Sequence, residues 1–139
     1  MPLNNPNFVA GGDIRICRFV KQSTSADYTV LEADANQQTI GISQEGTNDA
    51  PTSGASSLAA ASGDPVAVYG LGDVCLLTIG SGGVTRGGRL KSDADGKGVA
   101  VATTGTTIQQ IGARALESAA ENELCRVQIV QYSERPALT

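Results

Sequence analysis

The chain has 139 residues, with 10 Lys and Arg against 14 Asp and Glu for a formal net charge of −4. That balance offers no basic stripe for phosphates and argues against nucleic acid as a direct partner. The length suits one domain with its own core, needing neither a metal nor a disulfide staple. Abundant Gly, Ser, Thr and Val, with few of the Leu, Glu and Lys residues that fill exposed helix faces, point to an all-β fold.

Residues 1–12 hold Pro2, Pro6 and the Gly11-Gly12 pair. Proline fixes φ and biases its predecessor away from helix, so this stretch is expected to be an extended N-terminal arm hinged at the glycines. Its contact residues are expected to be Asn4, Asn5, Pro6, Asn7, Phe8 and Val9, with Phe8 and Val9 as the apolar anchor. The opening stretch has no basic region and no apolar core of signal-peptide length, and nothing in the chain approaches a membrane span. Synthesis in a reducing cytoplasm, without a membrane partner, is the expectation.

A single β domain is expected over residues 13–132, followed by a tail at 133–139. Strands are expected at 14–20, 28–32 and 39–44, then a long surface loop at 45–63 rich in Ser, Thr, Ala, Gly and Asn. Beyond it come strands at 66–69 and 74–79, a glycine-laden connection at 80–88, and strands at 89–91 and 99–103. Residues 74–79 are apolar on both faces and read as a strand buried on both sides. The segment 93–96, Asp-Ala-Asp-Gly, carries a strong hairpin signal because its Asp-Gly step tolerates positive φ. Strands at 108–116 and 124–131 close the domain, with a helical turn expected within 115–123. Eight or nine short strands at this spacing indicate a small barrel or sandwich.

Residues 28–42 lie without a gap over residues 99–113, with Ile40-Gly41 falling on Ile111-Gly112. The same offset sets Phe19 on Leu90 and Val30 on Val101, so the domain is expected to consist of two related halves in which Gly41 and Gly112 are equivalent. Two copies are too few for a solenoid but fit a small β domain.

The residues that carry chemistry are sparse. There is no histidine, so the commonest general base and zinc ligand is missing. Asp93, Asp95 and Gly96 have the spacing that opens a calcium loop, but Thr104 stands where that loop needs a bidentate Glu. Gly70 and Gly72 are followed by Cys75 where a dinucleotide fingerprint needs a third glycine. Asp13, Asp64 and Asp73 each precede a strand, where carboxylates commonly make local turns. Cys17, Cys75 and Cys125 are widely spaced within apolar runs, with no CxxC pair, and read as reduced core residues. Neither catalysis, cofactor nor metal is expected.

Ordered along the chain are an arm, a strand, Ile-Gly-Ile, a polar loop, Val-Ala-Val-Tyr-Gly, a glycine-rich bend and Asp-Ala-Asp-Gly-Lys. Val-Ala-Val-Ala, Gln-Ile-Gly-Ala-Arg-Ala-Leu-Glu and Arg-Val-Gln-Ile-Val follow. Over residues 11–131 this order resembles the capsid decoration, or cement, proteins of tailed bacteriophages, similar in role to the lambda head decoration protein. The resemblance implies a homotrimer on the outside of the phage head, with the major capsid protein as partner and contacts between capsid subunits stabilised. An all-β glycan-binding module of a virion is the alternative, but sugar platforms need exposed aromatics and only Tyr28, Tyr69 and Tyr132 supply phenols. A trimeric β-barrel hydrolase acting on a nucleotide is a third reading, dependent on acidic residues that bind a divalent ion.

Overall fold

The computed structural model describes residues 8–44 and 58–136. Asn4, Asn5, Pro6 and Asn7, and residues 45–57 of the expected loop, lie outside that range. In chain order the strands are β1 (Phe8–Ala10), β2 (Ile14–Arg15), β3 (Phe19–Gln22), β4 (Thr29–Glu32), β5 (Gly41–Ser43), β6 (Leu58–Ala60), β7 (Pro65–Val66) and β8 (Val68–Tyr69). They continue with β9 (Val74–Thr78), β10 (Arg89–Ser92), β11 (Gly98–Ala100), β12 (Gln109–Ala115) and β13 (Leu124–Glu134). No helix occurs among the described residues. The six-stranded sheet runs β7-β1-β4-β3-β5-β8, the five-stranded sheet runs β11-β10-β12-β13-β9, and β2 pairs with β6. Together they form an all-β, nearly closed, barrel-like domain.

The two halves are related, and the ladders show how. Phe19 pairs with Ile42 across β3 and β5, and Leu90 pairs with Ala113 across β10 and β12. These are the equivalences that the sequence offset predicts, and they make Gly41 and Gly112 counterparts. The correspondence extends well outside the matched stretch. The Ala10 N–H donates to the Asp64 carbonyl and its own carbonyl accepts from Gly63; the Ile79 N–H donates to Glu123 and its carbonyl accepts from Asn122. Gly63 and Asn122 both take left-handed φ, 88° and 67°, as the shared turn requires. The Ile14–Ala60 pairing of β2 and β6 recurs as a bridge between Val84 and Ala119.

One part of the gap-free match fails. Ala33 donates to the Phe19 carbonyl, whereas Ala100 is the partner of Leu90, so the two hairpins turn over different lengths. Val30 pairs with Gln22, and its ladder counterpart is Lys97, which bonds Asp93, rather than Val101. Val30 is fully buried while Val101 is half-buried. The halves share their topology and the outer registers, but the expected Val30–Val101 equivalence is incorrect because the first hairpin is longer.

Each half has a core. Ala10, Ile14, Ala60 and Val66 belong to one, and their counterparts Ile79, Val84, Ala119 and Cys125 pack in the other. Strand β3 lies between them: Phe19 enters the second core and Val20 the first, both fully buried. Central strands, rather than β9, are therefore the ones covered on both faces. The expectation for residues 74–79 is corrected, because β9 is an edge strand whose Cys75 and Leu77 face inward while Val74 and Leu76 are exposed. Three further expectations change. Residues 58–60 of the expected surface loop form β6, which pairs with β2 and buries Ala59 and Ala60. Residues 115–123 make no helical turn, since Ala119 exchanges both main-chain hydrogen bonds with Val84. The strand expected at 14–20 breaks at a turn through Cys17, whose φ is 54°.

Candidate interaction surfaces

The predicted anchor residues Phe8 and Val9 form part of the fold. Val9 pairs with Thr29 in parallel and with Pro65 in antiparallel, so β1 is flanked on both edges. Phe8 packs against the first core, in which Ala10 is buried, while Val9 is exposed. The arm boundary expected at residue 12 thus does not coincide with the fold, and neither does a free hinge at Gly11. A Cβ at Gly11 would meet Thr29 Cγ2 at 2.8 Å. At the other end, β13 runs to Glu134, so residues 133 and 134 belong to the sheet rather than to a tail.

The candidate chemical residues adopt local roles. Asp93 accepts the N–H groups of Asp95 and Lys97 through Oδ1, at 2.8 and 2.9 Å, and Gly96 closes the turn with φ 74°. This is the expected hairpin. Asp73 accepts the Gly70 N–H at a turn, whereas Asp13 accepts the N–H of the sequence-distant Ser62. Among the described residues, no group of three or more His, Cys, Asp or Glu side chains is placed to hold a metal. None of the three cysteines is in a disulfide, and all are buried. Burial pushes the Cys75 thiol up to about 12, with smaller contributions from Cys17 and Asp73.

The three phenols are dispersed. Tyr28 precedes β4, Tyr69 lies on edge strand β8, and Tyr132 lies on β13 in the other sheet. Tyr132 borders a cavity of about 50 Å³ with Gln38, Thr39, Gln110, Ile111, Gln131 and Ser133, room for a water rather than a sugar ring.

Residues 2–130 match the family described as structural cement protein (E217 gp24/Pam3 gp6). The chain belongs to this family of phage structural cement proteins. As a cement protein it is a structural component of the virion capsid. Its fold is similar to the N base of head fiber gp8.5 of bacteriophage phi29. The two share 19% identity and a TM-score of 0.58 over 90% of this chain and 92% of that one. No curated protein matches the chain.

Sequence reasoning missed the outward face of the five-stranded sheet. Leu76 stands opposite Arg126, and the N–H of Leu116, just past the end of β12, bonds the Arg126 carbonyl. Leu124 and Val74 lie two residues to either side on their strands, beside Thr78 and Gln128. Leu76, Leu116, Leu124 and Val74 are all exposed, at 36, 48, 48 and 51%. The available signal was the outward apolar positions of an edge strand, which look the same in sequence as those of a buried one.

Proposed function

We propose that this cement protein binds the exterior of a phage head as a homotrimer and stabilises contacts between major capsid proteins, with residues Asn4 to Val9 contributing to the capsid contact. The family match carries this reading, because it spans both the barrel-like domain and the N-terminal residues as one unit. A symmetric trimer touches several shell subunits at once, so modest contacts add through effective concentration. The role is one of binding without turnover. That agrees with a chain that has no histidine and in which Asp73 and Asp93 make turns. Val9 presents an exposed side chain from β1, and any upstream residues ordered against the shell incur about 1 to 2 kcal/mol each of lost backbone entropy. Main-chain pairing to the shell would offset that cost.

Heads assembled without the chain provide the test. Added protein should co-sediment with them and raise the temperature at which they release DNA, and sedimentation equilibrium should give three times the monomer mass. Failure to co-sediment would reject the reading, and a monomer at working concentration would reject the trimer.

A further inference from the structure

We infer that the outward face of β9, β13 and β12, centred on Arg126, docks onto an acidic patch of the shell's outer surface. The inference rests on the capsid-binding reading and specifies which surface performs it. Strands β9 and β13 and the residue that follows β12 place Leu76, Arg126 and Leu116 in one row, with Leu124 to one side and Val74 to the other. An arginine flanked by exposed leucines and a valine is the composition of an interface centre: apolar neighbours that exclude water on docking strengthen a charge-assisted bond made by the guanidinium. In the next row Val74, Gln128, Arg114 and Arg89 stand side by side.

Charge selects the occupant. The chain carries a net charge of −4, yet this face presents three arginines. Arg89 is paired with Glu134 at 3.1 Å. Arg114 and Arg126 have no ion-pair partner among the described residues, and neither appears in a salt bridge. Glu117 and Glu123 border the face as anions but make no ion pair with these arginines: Glu117 Oε1 accepts the Arg126 N–H and Glu123 Oε1 accepts the Ala120 N–H. A second copy docked isologously would set two such arginine pairs against each other, which costs affinity; the heterologous contact of a trimer is the alternative occupant that the oligomeric-state readout tests. A shell surface bearing carboxylates among apolar side chains satisfies both halves of the face.

The test compares wild type, Arg126→Glu, Leu76→Asn and the control Thr24→Glu, at an exposed position between β3 and β4 of the six-stranded sheet, for co-sedimentation with undecorated heads. Thermal melts and sedimentation velocity are run on the same samples. Both face variants should bind about 10- to 100-fold more weakly, with folding and oligomeric state unchanged, while the control binds as wild type. Arg126→Gln, which removes charge without reversing it, should fall between. Undiminished binding by the face variants, with wild type also bound, would overturn the docking face and leave the cement role standing. Loss of oligomeric state instead of head binding would assign the face to a second copy. Wild type that fails to bind heads would overturn the cement role itself.

Discussion

Gly112 lies against the ring of Phe19, so close that a Cβ at position 112 would stand 2.6 Å from Phe19 Cε1 and 2.6 Å from Thr39 Oγ1. The contact joins the halves, because Gly112 belongs to β12 and Phe19 to β3. Its counterpart Gly41 is equally confined, against the Tyr69 carbonyl and a Val68 methyl. Gly112→Ala should therefore destabilise the domain by about 1 to 3 kcal/mol, the usual cost of overpacking a filled core. Gly41→Ala should cost at least as much, since main chain yields less readily than a ring. Urea denaturation of the two variants checks this, and wild-type midpoints would show that the sites relax.

The sequence revealed most of the topology and less of the surfaces. Glycine spacing and apolar alternation located the strands other than β1 and β6, which fell in the expected arm and surface loop, and the offset linking Phe19 to Leu90 is reproduced in the ladders. Where it failed, at Val30 and Val101, local residue similarity had hidden a hairpin of different length. Fold membership of Phe8 was not legible, because a three-residue strand between two neighbours has the same composition as an arm. The face around Arg126 was obscured for a related reason. Apolar residues on both sides of β9 are ambiguous until strand order shows that β9 lies at an edge.

The turn at residues 93–96 is bound to the first half by arginines. Arg15 forks onto the Glu32 carboxylate, its main-chain N–H also reaches Oε2 at 3.0 Å, and its guanidinium reaches the Asp95 carbonyl at 3.3 Å. Glu32→Gln should cost about 1 kcal/mol, as the pair is partly screened by solvent. Arg18 also reaches the Asp95 carbonyl, at 2.9 Å, but its buried Nε has no partner among the described residues. Burial accordingly lowers its pKa. Arg18→Met should cost less than Glu32→Gln, because it removes a desolvated group along with one hydrogen bond. Chemical denaturation of both variants gives the order, and the reverse order would mean that Arg18 carries the link.

The thiols set an alkaline limit. A Cys75 pKa raised from 9.0 to about 12 means that the folded chain holds the proton after the unfolded chain has lost it. The stabilising contribution is complete below about pH 9 and is lost as pH rises toward about 12. Urea midpoints should therefore fall between pH 9 and 11 by more in the wild type than in Cys75→Ala. Parallel profiles would show that Cys75 does not titrate differently on folding. Reductant at neutral pH should leave the melting temperature unchanged, since no cysteine forms a disulfide.

Truncation separates the contribution of the N-terminal residues to binding from that of β1 to folding. Deleting residues 1–10 removes a strand paired on both edges and the buried Ala10, so it should lower stability by several kcal/mol or prevent folding, at about 25 cal/mol for each Å² of lost apolar burial. Deleting residues 1–7 keeps Phe8, Val9 and Ala10 and every described strand. That shorter deletion should melt within a few degrees of wild type yet bind undecorated heads more weakly, because the proposed contacts of Asn4 to Asn7 are gone. Phe8→Ala should chiefly reduce stability, since its ring packs on the first core. Val9→Ser, at an exposed position of the same strand, should chiefly reduce binding. Circular dichroism melts paired with co-sedimentation distinguish these effects. Equal binding by wild type and the 1–7 deletion would remove the arm from the capsid contact.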